Sequence, residues 1–151
     1  QMVLTTGMRV SELVALNLLD FDREKATIVC TGRNERSKRT RVISLSPQVV
    51  EWTQHYIQTV RSPQVQRHPE EMSLFLNHRG ERLTRQGFWL IIKGYARQAG
   101  ICEITPHMLR HSCAVSLLND GMTLRSVQET MGHAHIGSTQ MYSRLTRKRK
   151  E

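Results

Sequence analysis

The sequence predicts an α+β domain that is mainly helical and carries a small antiparallel β-sheet. Apolar residues recur at helical spacing along most of the 151 residues, which indicates amphipathic helices around one core. Two β-branched runs, ATIVC at 26–30 and RVISL at 41–45, flank a polar stretch with Gly32 and Asn34, which is typical of a β-hairpin. The apolar run at 74–76 is predicted as a third short strand.

The helices are predicted from capping residues that precede apolar segments. Ser or Thr can accept a hydrogen bond from the first turn, and Pro fits there because no N–H is needed. The predicted helix starts are Ser11, Ser46-Pro47, Thr84, Pro106, Thr123 and Ser138. The polar segment at 61–72, which contains two prolines, is predicted as a surface loop. The predicted buried faces are Val50, Thr53, Ile57 and Val60 after Ser46, and Phe88, Ile92, Tyr95 and Ala99 after Thr84.

The charge of the chain favours a nucleic acid or an anionic membrane as partner. Its 22 Lys and Arg residues exceed its 13 Asp and Glu residues, which gives a net charge of +9 and a pI of about 10.2. No apolar run approaches the roughly 20 residues that a membrane-spanning helix needs. No secretion-signal pattern is present either. A nucleic acid is therefore the favoured partner.

Three cysteines, Cys30, Cys102 and Cys113, are widely spaced, and this odd number indicates free thiols in a reducing compartment. The alternative is a zinc site formed by Cys102, His107, His111 and Cys113. Their spacing matches no common zinc finger, and the His-Met-Leu-Arg-His segment lacks the glutamate of a zinc-protease helix. A metal site is therefore disfavoured, and no cofactor is predicted.

The segment from Thr105 to Tyr142 contains residue types that fit a reaction centre for phosphate. His107 and Arg110 are three residues apart, so a helix places them on the same face, and His133 follows further along. The rigid fork of arginine binds phosphate oxygens, imidazoles move protons, and tyrosine can form a covalent bond to phosphorus. Each residue alone is more often structural, but the combination predicts an anionic reaction centre.

Other charged residues have two interpretations each. Arg9 and Glu12, three residues apart, are either a surface ion pair worth a few tenths of a kcal/mol or part of a site. Between the hairpin strands lies either a solvated loop or a tip that reaches DNA, with the basic residues Arg33, Arg36, Lys38, Arg39 and Arg41. The basic residues around the helix after Thr84 form either a solvated helix face or a set of contacts to the DNA phosphate backbone. They are Arg82, Arg85 and Lys93.

Four segments, TGMRVSELVAL, HMLRH, MGH and TQMYSRL, resemble the motifs of the tyrosine recombinase (phage integrase) family, and their compact spacing is most similar to its Xer-type branch. The resemblance extends from Leu4 to Leu145. It implies a helical catalytic domain of the tyrosine-recombinase type, with Glu12 as a supporting carboxylate and Tyr142 as the nucleophile. The catalytic residues that it implies are Arg9, Lys38, His107, Arg110, His133 and Tyr142.

The lysine assignment has one alternative. In this family the β-hairpin carries a catalytic lysine, and Lys38 is the only lysine between the two predicted strands. The turn is longer than the common Gly-Lys-Gly form, and in one alignment Arg36 falls at the lysine position. Arginine would be a poor proton donor because its pKa lies above about 12. Lys38 is therefore favoured.

The reaction implied by the resemblance is type IB cleavage and rejoining of double-stranded DNA through a 3′-phosphotyrosyl bond, without ATP or metal. The implied protein is a site-specific recombinase or integrase of prokaryotic, phage or mobile-element origin, which acts as a homo-tetramer on DNA in the cytoplasm, associated with the nucleoid. The alternatives are a type IB topoisomerase and a non-catalytic DNA-binding module of the same fold. Residues 1–151 are expected to be a single catalytic domain, a fragment without the N-terminal DNA-clamping domain and the first catalytic-domain helix.

Overall fold

The structure, a computed structural model, describes residues 1–31, 40–66 and 68–131. It is mainly helical with a small antiparallel sheet, which confirms the predicted fold class. The strands are β1 (Phe21–Asp22), β2 (Thr27–Thr31) and β3 (Thr40–Ser44). The helices of the described ranges are α1 (Met2–Thr6), α2 (Val10–Leu13), α3 (Pro47–Tyr56), α4 (Ser62–Val65), α5 (Arg85–Gln98), α6 (Pro106–Asn119) and α7 (Leu124–Met131).

The predicted hairpin is confirmed as the pair β2–β3. The register places Ile28 opposite Ile43 and Cys30 opposite Arg41. Ile28, Cys30 and Ile43 are buried, whereas Val42, which precedes Ile43 in β3, is 64% exposed. Side chains alternate between the two faces of a strand, so Arg41 and Ile43 share the face that packs on the core.

The third strand of the sheet is β1, and the strand predicted at 74–76 is wrong. The sheet order is β1-β2-β3, whereas Leu74-Phe75-Leu76 lies between two isolated bridges. The backbone N–H of Leu74 donates to the carbonyl of Leu16 (2.8 Å), and that of Leu76 donates to the hydroxyl of Tyr56 (3.0 Å). The backbone N–H of Leu83 donates to the carbonyl of Phe75 (2.9 Å), and Leu76 forms an isolated bridge with Arg82, so the run has scattered partners and no continuous strand ladder.

The loop predicted at 61–72 begins later than expected. Helix α3 continues through a π-helical turn (Ile57–Arg61) into α4, and Pro63 lies in the first turn of α4, where no N–H is required. Arg61 is buried and donates to the carbonyls of Ser73 (2.8 Å) and Glu71 (2.6 Å). These bonds hold the extended helix against the following segment.

Two apolar clusters form the described core. The larger one joins α1, α2, the sheet, α3 and α5, and the smaller one consists of Cys113, Ala114, Val127 and Met131 between α6 and α7. Thr84 caps α5 as predicted by accepting from Gly87 N (3.0 Å). Phe88 and Ala96 form the buried face of α5, so the predicted burial of Tyr95, which is 66% exposed, is wrong. Val60, also predicted to be buried, is exposed.

Among the described residues, no helix is both long enough and apolar enough to cross a membrane.

Candidate active site

The turn between α1 and α2 positions Arg9. Helix α1 ends at Gly7, whose φ of 61° lies in the left-handed region that glycine adopts readily. A Cβ at this position would overlap Sδ of the buried Met131 in α7, so glycine is also needed for close packing. Arg9 then returns to extended backbone as the N-cap of α2. The turn therefore lies directly against the end of α7.

The carboxylate of Glu12 stabilises this turn. Its side chain is only 3% exposed, and its Oε2 accepts the backbone N–H of Arg9 at 2.6 Å. Its Oε1 lies 3.3 Å from Nη1 of Arg9, whose side chain is 46% exposed. A carboxylate in the first helical turn also interacts favourably with the free N–H groups there. Of the two interpretations of this pair, the surface ion pair does not hold, because the carboxylate is buried and the arginine is partly exposed.

Arg41, the second residue of β3, is the other partner of Glu12. Its Nη1 lies 2.7 Å from Oε1 and its Nη2 lies 3.0 Å from Oε2, a bidentate contact across 29 residues of sequence. Burial alone would raise the pKa of Glu12, but hydrogen bonds from Arg41 and Arg9, together with their charges, outweigh it and hold the pKa below its ordinary value. The guanidinium of Arg41 is thus directed into the protein, and the predicted DNA contact of Arg41 is not supported.

Arg110 is buried on α6 and joins three parts of the chain. Its Nη1 donates to the carbonyl of Gly7, and its Nη2 donates to the carbonyl of Met131. Both carbonyls lie at helix C-termini, where backbone oxygens lack partners within the helix and carry partial negative charge. A buried guanidinium requires such partners. The side chain of Arg110 therefore links the turn that carries Arg9 to the last residue of α7.

His107 lies one turn before Arg110 on α6. The helix begins at Pro106, after Thr105 caps it by accepting from Met108 N (3.1 Å). The side chain of His107 is exposed, whereas His111 on the next turn is partly buried. Within the described ranges, no group of three or more His, Cys, Asp or Glu residues could hold a metal ion.

The remaining basic residues of the prediction separate into two kinds. Arg82 donates to the carbonyls of Val14 (3.1 Å) and Leu16 (3.3 Å) and to Oδ1 of Asn17 (2.6 Å), so it stabilises the segment after α2, and its DNA contact stays a prediction. Arg85 is exposed on the first turn of α5. The exposed Lys93 places Nζ 5.0 Å from the centre of the Trp89 ring, a cation–π contact. Arg85 and Lys93 remain predicted DNA contacts.

Several predicted residues lie outside the described ranges. Lys38 and its alternative Arg36 precede β3, and His133 follows Met131 by two residues in sequence. The predicted helix after Ser138 also falls there. The full set of predicted site residues outside the described ranges is Arg33, Arg36, Lys38, Arg39, His133 and Tyr142.

The contact between Arg41 and Glu12 was not predicted from the sequence, which carries only a partial signal for it. Arg41 and Ile43 are two residues apart in a predicted strand, so they share one face. Val42 on the opposite face is also apolar, so only the structure shows that Arg41 and Ile43 are on the face that packs on the core. The contacts of Arg110 had no such signal, because both acceptors are backbone carbonyls distant in sequence.

The similarity of the chain to known proteins identifies its family. The sequence model of the phage integrase family matches residues 1–149. The chain belongs to this family. A tyrosine recombinase XerC from Roseiflexus sp. (strain RS-1) is 49% identical over 146 residues, which are 96% of this chain and 46% of that protein. The chain spans about half the length of the curated relatives it matches.

Solved structures of the phage integrase family share the fold. The crystal structure of XerA recombinase has a TM-score of 0.81 and 30% identity, over 93% of this chain and 50% of XerA. The XerH site-specific recombinase, in a post-cleavage complex with a palindromic difH substrate, has a TM-score of 0.80 and 26% identity, over 99% of this chain and 42% of XerH. The predicted resemblance to this family is thereby confirmed.

Proposed function

We propose that this chain is the catalytic part of a site-specific tyrosine recombinase, which cleaves and rejoins double-stranded DNA by the type IB mechanism. The observation that carries the proposal is the placement of Arg110. Its side chain bonds to Gly7, two residues before Arg9, and to Met131, two residues before His133. Three motifs that are far apart in sequence thus meet around one guanidinium. Family membership and the net charge of +9 support the same conclusion.

The proposed chemistry is transfer of a DNA phosphate to Tyr142. The tyrosine oxygen attacks the backbone phosphorus, a 3′-phosphotyrosyl bond forms, and the 5′-oxygen of the DNA leaves as a hydroxyl. The 5′-hydroxyl of a partner strand then attacks the phosphotyrosine and releases Tyr142. Each step exchanges one phosphoester bond for another, so the reaction requires no energy from ATP.

The proposed roles follow from charge. The transition state places extra negative charge on the non-bridging phosphate oxygens, and Arg9 and Arg110 stabilise it. Rigid positioning of Arg110 by backbone carbonyls before DNA binds lowers the cost of reorganisation. A free tyrosine has a pKa of about 10, so His107 assists its deprotonation. Lys38 protonates the leaving 5′-oxygen, and His133 donates a hydrogen bond to a phosphate oxygen.

The proposed partner is double-stranded DNA bound by a homo-tetramer, in the cytoplasm where bacterial and mobile-element DNA lies. XerH, with the same fold, is bound to a difH DNA substrate in its solved complex. The exposed Arg85 and Lys93 of α5 are proposed phosphate contacts, together with Arg33, Arg36 and Arg39. Contacts to phosphate position a protein on DNA but carry no sequence information.

Covalent trapping tests the proposal. The chain, and the protein as encoded at its native locus, are incubated at low salt with nicked duplexes that cover that locus, so that the cleaved 5′-hydroxyl fragment diffuses away. We expect an adduct that resists denaturation. Tyr142→Phe removes the nucleophilic oxygen and should abolish the adduct. Tyr95→Phe removes the hydroxyl of an exposed tyrosine outside the proposed site and should leave the adduct unchanged.

Three outcomes would contradict the proposal. DNA binding without any adduct would favour a non-catalytic DNA-binding module. An adduct that persists in Tyr142→Phe would assign the nucleophile to another residue. Supercoil relaxation on any DNA, with no dependence on a defined site, would favour the topoisomerase.

A further inference from the structure

We propose that Arg41 is a positioning residue for DNA cleavage, which acts by occupying Glu12 so that Arg9 can serve the substrate phosphate. The inference rests on the proposed function and deepens it. It replaces the sequence-based interpretation of Arg41 as a DNA contact. The residues that carry it are Glu12, Arg9 and Arg41, which meet where α2 packs against the base of the β2–β3 hairpin.

The first step is the burial of the pair. Glu12 is 3% exposed and Arg41 is 18% exposed, so neither side chain has bulk water as its main partner. Desolvated charges of this kind are stable only when paired with good geometry. The bidentate contact at 2.7 and 3.0 Å provides that geometry. Arg41 also pairs with the buried Cys30 across the sheet, so the strand itself fixes its position.

The second step is the division of one carboxylate between two arginines. Both oxygens of Glu12 form their side-chain contacts of 3.0 Å or less with Arg41. The guanidinium of Arg9 has one contact to this carboxylate, at 3.3 Å, and its side chain is nearly half exposed. One negative charge cannot neutralise two guanidiniums. The trio therefore keeps a net positive charge, on the exposed side at Arg9.

The third step is the consequence of losing Arg41. The buried carboxylate of Glu12 would then lack its bidentate partner, and Arg9 would be the one cation of the trio left beside it. A bidentate pair between Arg9 and Glu12 would draw the Arg9 guanidinium inward, away from a phosphate at the surface. The base of the hairpin that leads to Lys38 would lose its tie to α2 as well. The first effect withdraws Arg9 from the substrate phosphate, and both effects slow cleavage.

The test compares Arg41→Met, Arg41→Lys and the matched control Arg61→Met. Arg61 is also an internal arginine with two guanidinium hydrogen bonds, but its acceptors are the carbonyls of Ser73 and Glu71. Each variant is assayed at a temperature where circular dichroism shows it folded. The measured quantities are the single-turnover cleavage rate constant at saturating suicide DNA and the dissociation constant for the same duplex at several salt concentrations.

We expect Arg41→Met to lower the cleavage rate constant about 10- to 100-fold, the usual cost of a misplaced reacting group. Because Arg9 withdraws from the phosphate, the salt slope of binding should fall by no more than about one, and in the Glu12→Gln background Arg41→Met should leave the slope unchanged. Arg41→Lys should recover part of the rate, and Arg61→Met should stay within about threefold of the unmodified protein. Adding Arg41→Met to Glu12→Gln should cost little more than Glu12→Gln alone, because residues that act as one unit are not additive.

A salt slope reduced by about one when Arg41→Met is added to Glu12→Gln would overturn the proposal, because without a carboxylate to draw Arg9 inward the lost contact would be one between Arg41 itself and a DNA phosphate. Equal rate losses in Arg41→Met and Arg61→Met would mean that Arg41 only stabilises the fold and does not position Arg9. An unmodified protein that forms no adduct would defeat the proposed function itself. Cleavage by that protein, with Arg41→Met equally active, would defeat only the role of Arg41.

Discussion

At the scale of single residues, the arrangement of the site depends on one buried carboxylate. Glu12 was predicted from sequence as the partner of Arg9, because helical spacing places residues three apart in contact. Its burial and its stronger contact with Arg41 come from the packing of α2 on the sheet. Local spacing therefore predicted the contact between Arg9 and Glu12. Only the tertiary structure shows that Glu12 binds Arg41 more closely than Arg9.

The lowered pKa of Glu12 predicts acid sensitivity of folding. The folded pKa lies below that of the unfolded chain, about 4.3 for a free glutamate. The ionised carboxylate therefore contributes stability that is fully present above the unfolded pKa and is lost as the pH falls through the folded pKa. Glu12→Gln should lower the free energy of unfolding by about 2 kcal/mol at pH 7, and by much less near pH 3.

Urea unfolding at both pH values measures this difference. Asp22 and Glu71 also have lowered pKa values, through hydrogen bonds from Lys25 and Ser73 respectively, so the variant should retain part of the acid dependence. The account of Glu12 would be contradicted if the variant lost the same free energy at pH 7 and near pH 3.

At the scale of elements, helix starts were predictable and long-range pairing was not. Thr84 and Thr105 cap α5 and α6 through bonds to residues three positions later, so the signal lies within four residues of sequence. The run at 74–76 has strand composition, but its hydrogen bonds are divided among Leu16, Tyr56 and Leu83, which belong to different parts of the chain. Composition describes a segment and does not identify its neighbour.

The contact between the α1–α2 turn and α7 gives a prediction at this scale. Gly7→Ala combines a left-handed backbone with an overlap at Met131, and should lower the free energy of unfolding by about 3 kcal/mol. Gly121→Ala is the matched control, because Gly121 also has a positive φ, of 89°, but a Cβ there meets nothing within 4 Å. It should cost only about 1 kcal/mol.

Chemical denaturation of the two glycine variants measures these losses. Equal losses would mean that the buried side chain of Met131 moves aside, and that the turn carrying Arg9 is not held by α7. A larger loss in Gly7→Ala, accompanied by slower DNA cleavage, would agree with the packing observed between the Gly7 turn and Met131.

At the scale of the whole molecule, order of motifs and charge were sufficient to predict the fold class and the family. The motifs around Arg9, Arg110 and Tyr142 occur in the order expected for a tyrosine recombinase, and the family match covers residues 1–149. Sequence could not predict how the motifs of Arg9 and Arg110 meet, because Arg110 is anchored by the backbone of Gly7 and Met131. Backbone acceptors leave no trace in side-chain patterns.

The most direct test of the central claim is to map the covalent DNA adduct. The trapped complex is digested with protease and nuclease, and mass spectrometry locates the attached nucleotide, while end-labelling identifies the chemistry of the released strand. The account predicts a nucleotide joined through its 3′-phosphate to the peptide that contains Tyr142, and a released strand that begins with a 5′-hydroxyl. A nucleotide on any other residue, or a linkage through a 5′-phosphate, would contradict it.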